Sequence, residues 1–93
     1  MNEIEKSKRR VEMSAVLSDA VYKYEIAYTA GRKNPTEMAV GVLDDAGVDS
    51  SSYEIVDCMY DKDSGVAAIA VYDKFTGETY ISYAGTNYKA DGH

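Results

Sequence analysis

Residues 66–83 read VAAIAVYDKFTGETYISY, and this stretch decides the fold. Val66 to Tyr72 is a small, almost wholly apolar run, the pattern of a strand covered on both faces. Asp73-Lys74-Phe75-Thr76-Gly77 reads as a hairpin loop, with Gly77 able to take a positive φ. Thr79 to Tyr83 returns as the partner strand. Upstream, Tyr53 to Tyr60 also has strand character. It lies between the polar bend Asp49-Ser50-Ser51-Ser52 and the turn Asp61-Lys62-Asp63-Ser64-Gly65. Three consecutive strands joined by tight turns form an antiparallel meander.

The chain before residue 49 has a helical period instead. From about Glu3 to Tyr28, residues Val11, Ala15, Leu17, Val21, Tyr24 and Tyr28 fall mostly at three- or four-residue steps, and Ala20 and Ile26 widen that stripe. Residues 1–12 are far more polar and read as a frayed or solvent-facing extension. Gly31 ends the segment, with Arg32 and Lys33 suited to a helix C-terminus. A second helix begins with Asn34 as N-cap and Pro35 as first residue, with Glu37 placed to return a bond to the cap. Met38, Val42 and Leu43 share its apolar side, and Gly47 terminates it. The fold class is therefore α+β: two N-terminal helices followed by an antiparallel three-stranded β-meander.

Ninety-three residues, 45% of them apolar and 28% charged, suit a single small domain or an N-terminal fragment over 1–93. A chain this long buries roughly 65% of its unfolded surface, enough for a core with modest reserve. The net charge of −6 is uneven: residues 1–33 carry seven basic and five acidic side chains, the remainder three and eleven. Such an acidic body repels phosphates, so direct nucleic-acid binding is disfavoured. The basic run Lys6-Ser7-Lys8-Arg9-Arg10 reads as a solvated helix face. No apolar run is long enough to span a bilayer, and MNEIEKSKRR has no signal-peptide core. One cysteine, Cys58, allows no internal disulfide and fits a reducing, cytoplasmic setting, with export lacking a cleavable signal as the alternative.

Few residues offer chemistry of their own. Asp61 to Gly65 faintly resembles a calcium loop, but the sixth and twelfth positions, which need Gly and Glu, are Val66 and Tyr72. An acidic hairpin turn is the better reading. His93 is the sole imidazole and has no cluster around it, so no metal or other cofactor is expected. Cys58 lacks an activating neighbour and reads as a structural thiol. Nine tyrosines either pack the strands or form a recognition surface, for which Tyr80, Tyr83 and Tyr88 are the candidates.

One further pattern concerns Ser64 to Asp73 followed by Thr76-Gly77-Glu78-Thr79-Tyr80-Ile81-Ser82-Tyr83-Ala84-Gly85-Thr86-Asn87. It resembles the front end of class 3 lipase-like α/β-hydrolases, in which an early strand runs into a small-Gly-Thr or small-Gly-Ser turn. Leu17-Ser18-Asp19-Ala20-Val21-Tyr22 is similar to the opening helix of that family. The resemblance spans about Met13 to Asp91, with Ala84 to Asn87 its specific part. It implies that Thr86 is an oxyanion-hole residue whose N–H and hydroxyl face the developing negative oxygen. Gly85 would allow close backbone approach, and Asn87 would join it in holding substrate.

The family's nucleophile sits in a Gly-x-Ser-x-Gly elbow, and this sequence contains none. An oxyanion hole without a nucleophile stabilises a charge that never forms. The expected function is therefore an incomplete, by itself non-catalytic lipase- or esterase-like module. Its partner would be the missing hydrolase half or a second copy in a homodimer. The alternative is a small acidic, tyrosine-rich interaction protein, for example a phage-encoded inhibitor of a basic, nucleic-acid-binding host protein.

Overall fold

A computed structural model describes residues 1–85. Helix α1 (Glu3–Thr29) and helix α2 (Pro35–Asp45) are followed by a 3₁₀ turn (Ser50–Ser52). Strands β1 (Tyr53–Asp61), β2 (Val66–Asp73) and β3 (Glu78–Ala84) come next. The strands form one antiparallel sheet in the order β1-β2-β3, the expected meander. Helix α1 packs on α2, β2 and β3, so the helices form one layer over one face of the sheet.

Alternation along the strands decides what lies beneath that layer. In β2, Ala67, Ile69, Val71 and Asp73 are fully buried toward the helices. They pair with Tyr60, Cys58, Ile55 and Tyr53 of β1, and with Ala84, Ser82, Tyr80 and Glu78 of β3. The register shifts between Ile55 and Asp57, so Val56 is the extra residue of a β-bulge. That bulge answers a break in the sequence: Tyr53 and Ile55 have odd positions, whereas Cys58 and Tyr60 have even ones. Without it, one of the two pairs would face away from the helices.

Leu17, Val21, Leu43, Ile69 and Val71 form the fully buried centre of the core. Two helical assignments need correction. Val11, Ala15, Ile26 and Tyr28 are exposed, and Met13 and Ala27 join the expected Leu17, Ala20, Val21 and Tyr24 at the inner positions. At 100° per residue, 13, 17, 20, 24 and 27 make the tighter stripe, while 11 and 15 lie on the far side. Met38 is likewise exposed, and Ala39 and Leu43 face the core. The expected double cover of β2 is also incomplete: among the described residues, only the face toward the helices is covered.

Both helix C-termini close as the glycines require. Gly31 (φ 77°) and Gly47 (φ 84°) are left-handed. The next N–H in each case, of Arg32 or Val48, reaches back to the carbonyl of Ala27 or Leu43 at 3.0 Å. These are Schellman closures, and half-buried Val48 packs against the core.

The N-termini reverse expectation. Asn34 stands at the start of α2, but its side chain makes no cap bond. Its backbone (φ −127°, ψ 70°) departs from the extended geometry of a capping residue, and Pro35 has already removed one unpaired donor. The capping box belongs instead to Asn2 (φ −84°, ψ 176°). Its Oδ1 accepts from the Glu5 N–H at 2.8 Å, while Glu5 Oε1 accepts from the Asn2 N–H at 3.0 Å. Residues 3–12 are thus the first three turns of α1 rather than a frayed extension. Asn2→Ala should lower stability by about 0.5–2 kcal/mol, read as an earlier urea midpoint at unchanged m-value; an unshifted midpoint would show that this cap contributes nothing.

Candidate functional site

Strand β3 carries the residues singled out in the sequence toward one end of the sheet. Ala84, its last residue, pairs with Ala67, and Gly85 follows directly. Thr86, Asn87 and Tyr88 lie outside the described residues, as does His93. Tyr80 and Tyr83 are described, and they fall on opposite faces because their separation of three is odd. Tyr80 is half-buried on the helix side with its hydroxyl 3.5 Å from Glu78 Oε1, whereas Tyr83 is 68% exposed on the other side. They therefore do not make one aromatic surface. Tyr24 and Tyr53 are core residues, and Tyr28 stacks on Tyr60 at 4.8 Å, so much of the tyrosine content serves packing.

The two edges of the sheet differ. The β1 edge is interrupted by the bulge at Val56 and carries Glu54, Asp57 and Asp61, devices that discourage addition of another strand. The β3 edge has no bulge, proline or lysine, and its middle is Thr79-Tyr80-Ile81-Ser82-Tyr83, residue types that favour strands. A groove of about 390 Å³ runs beside it, bordered by Ser14, Leu17 and Ser18 of α1 and by Tyr80 to Tyr83. Ser18 turns its hydroxyl to the Ser14 carbonyl at 3.1 Å, so this wall is small and self-satisfied. Chemically, among the described residues, the edge offers unpaired backbone donors and acceptors beside a low wall.

The polar centre of the domain lies at the opposite end of β3. Asp73 is fully buried, and Arg9 grips it with two bonds, Nε to Oδ2 at 2.8 Å and Nη2 to Oδ1 at 3.1 Å. Nη2 also donates to Ser52 Oγ at 3.2 Å, and the Phe75 N–H donates to Asp73 Oδ1 at 2.9 Å. The Phe75 ring lies 4.8 Å from the guanidinium carbon. Burial pushes the Asp73 carboxyl up, but Arg9 and the Phe75 N–H together hold it below its ordinary value. Next to it, Arg10 makes a forked contact with Glu78, the closest approach 2.8 Å, on a more exposed surface.

The basic run at residues 6–10 is therefore not simply a solvated face, since Arg9 and Arg10 tie α1 to the β2–β3 hairpin. The sequence did contain a signal for this. Asp73 shares strand parity with Ile69 and Val71, so it must face the core and needs a cation there. Arg9 lies on the Met13–Leu17 row, four residues before Met13.

The remaining sequence candidates have ordinary surroundings. Asp61 to Gly65 is a closed hairpin turn, with the Gly65 N–H on the Asp61 carbonyl at 2.8 Å and the Asp63 N–H on Asp61 Oδ1 at 3.0 Å. Cys58 is partly buried on the helix side of β1. Burial pushes its thiol up against the opposing pull of the Thr36 hydroxyl, and Asp57 adds to the rise, which disfavours the reactive thiolate. Among the described residues, no helix is long and apolar enough to cross a membrane.

No family model, curated protein or solved structure matches this chain.

Proposed function

We propose that this chain is an incomplete hydrolase-like module, inactive by itself, whose β3 strand is an interior strand of a larger sheet. The carrying observation is the contrast between the sheet edges: β1 is protected by a bulge and carboxylates, while β3 is free of bulges, uncharged in its middle and bordered by a groove. On this reading, a further strand pairs with β3. The turn Ala84-Gly85-Thr86-Asn87 then lies beside the nucleophile that strand's part of the fold supplies. Thr86 donates to the oxyanion, Gly85 admits the substrate carbonyl, and Asn87 helps to hold the ester. The missing half carries the Gly-x-Ser-x-Gly that this sequence lacks; a second copy of this chain is the other candidate for covering the β3 edge, and it would supply no nucleophile. A cytoplasmic setting goes with the lone thiol.

The test joins the chain to a segment carrying that elbow and follows release of nitrophenol from p-nitrophenyl butyrate. The chain alone should match the buffer blank. In the completed enzyme, Thr86→Val should lower kcat by about 10²-fold with little change in KM, since the lost donor acts only on the developing charge. Ester turnover by the isolated chain, or an unchanged kcat in the variant, would refute the reading.

A second reading, the small acidic interaction protein, has a separate observation in its favour: the sheet face away from the helices is apolar at its centre and not covered by any of the described residues. A basic, nucleic-acid-binding protein is the partner this reading names.

A further inference from the structure

The uncovered face has a definite chemistry. In its middle row Met59, Ala68 and Tyr83 stand side by side, and in the next row Asp57, Ala70 and Ile81. The two alanines, Ala68 already sunk between its neighbours (8% exposed) and Ala70 half-buried, make a low floor that half-buried Tyr72 bounds at the Glu54–Thr79 row. Met59 rises on one side (47% exposed), and Ile81 and Tyr83 on the other (58% and 68%). The sides differ in charge as well as height. Glu54, Asp57 and Asp61, all exposed, mark the β1 side, while Thr79, Ile81 and Tyr83 leave the β3 side neutral. None of the described strands β1, β2 and β3 carries Lys or Arg.

From this trough we infer that the outer face of the sheet is a docking surface for an amphipathic helix that carries Lys or Arg along one margin only. Dimensions set the form of the occupant. Three strands put the outer two about 10 Å apart, the width of a single helix. The eight residues of β2 run about 26 Å, which calls for about 17 helical residues. Alanines on the floor let such a helix approach closely, with its apolar stripe seated between Met59 and the Ile81–Tyr83 wall. Its basic margin then lies over the β1 carboxylates.

Charge argues against a second copy as the occupant. A two-fold pairing of these faces lays the β1 carboxylates either on their own counterparts or on the apolar Ile81–Tyr83 side. Both arrangements desolvate negative charge without a partner, in a chain whose net charge is already −6. An anionic lipid surface meets the same repulsion.

The inference rests on the second reading, whose sheet face it specifies, and not on the turn after β3, so it stands or falls separately from the esterase experiment. Its test uses the whole chain and three fluorescent synthetic helices of about 17 residues. The first has a Leu/Ala stripe with one Lys/Arg margin, the second the same stripe with a Glu margin, and the third the basic margin with Gln and Ser in place of the stripe. Fluorescence anisotropy should show the first binding at least about tenfold tighter than either other helix, the charge-dependent part of this advantage shrinking as salt rises from about 50 to about 300 mM.

A triple variant, Glu54→Lys, Asp57→Lys and Asp61→Lys, should reverse the preference between the first two. Ile81→Gln with Tyr83→Gln should abolish binding of the first. These side chains are exposed, and unchanged circular dichroism would confirm that the variants fold. Equal binding of the basic- and acidic-margin helices, no binding of any, or retention by the Gln variant would overturn the inference. So would anionic vesicles competing off the first helix, or a doubled mass by light scattering that the Gln variant returns to a monomer.

Discussion

Arg9→Ala should destabilise the domain by about 3–5 kcal/mol, the range for removing one partner of a buried ion pair. Domains have in total roughly 5–15 kcal/mol, so much of the population would unfold under mild urea. The reason is an asymmetry within the pair: Asp73 has no exposed side-chain surface, whereas the Arg9 side chain is 20% exposed. Loss of Arg9 strands a carboxylate that water cannot reach, while loss of Asp73 leaves a guanidinium that can turn outward. Asp73→Asn should therefore be the milder change, since it keeps an acceptor for the Phe75 N–H.

The pH dependence supplies a second, independent mark of the same contact. In the native chain the Asp73 pKa is lowered. Its contribution is then complete above the unfolded carboxyl value of about 3.9 and is lost as pH falls through the lower folded value. In Arg9→Ala, burial, the largest influence on this carboxyl, is opposed only by the Phe75 N–H and the Thr76 hydroxyl, and the balance should reverse. The folded pKa rises above the unfolded one, and acidification through it relieves the penalty. Urea midpoints measured from neutral pH to about pH 4 should thus show the gap between wild type and variant closing. A gap that stays constant, or a loss below about 1 kcal/mol, would mean that the Arg9–Asp73 contact contributes no more than an exposed ion pair.

Leu17→Ala should cost a similar amount, about 3–5 kcal/mol, by a different route. Leu17 has no exposed surface and belongs to the cluster that joins α1, α2 and the inner face of β2. Truncation removes apolar contact and leaves a cavity that helices held by two Schellman closures cannot easily fill. Val11→Ala is the matched control on the same helix: with Val11 70% exposed, its effect should stay within about 0.5 kcal/mol. Equal losses at the two positions would contradict the placement of α1 on the sheet. Unlike Arg9→Ala, Leu17→Ala should show the same loss at neutral and mildly acid pH, because no proton is linked to it.

Much of the architecture was legible in the residues. The apolar run at 66–72, the loop ending in Gly77 (φ 73° in the structure) and the return at 79–83 marked out the hairpin by local pattern alone. Gly31 and Gly47 stopped the helices because a left-handed residue is a local demand that glycine meets without strain. What could not be read were properties that depend on a neighbour distant in the chain. Asn34 reads as a cap because Pro35 follows it, yet its side chain makes no cap bond, whereas Asn2 and Glu5, in a segment that reads as frayed or solvent-facing, form a capping box at the start of α1. The basic run looked solvated because nothing within it reveals that Asp73, sixty-four residues on from Arg9, is the partner.

The sequence by itself determined the order of elements, the antiparallel meander and the acidic balance of the body, because periodicity, turn chemistry and charge are properties of consecutive residues. Tertiary structure alone decided which side of α1 is inward, that the Val56 bulge brings both halves of β1 onto one face, and that Arg9 neutralises a buried carboxylate. It also decided that, among the described residues, one face of the sheet is bare and one edge open. Each of these requires two segments to meet in space, and burial, pairing and exposure have no value until they do.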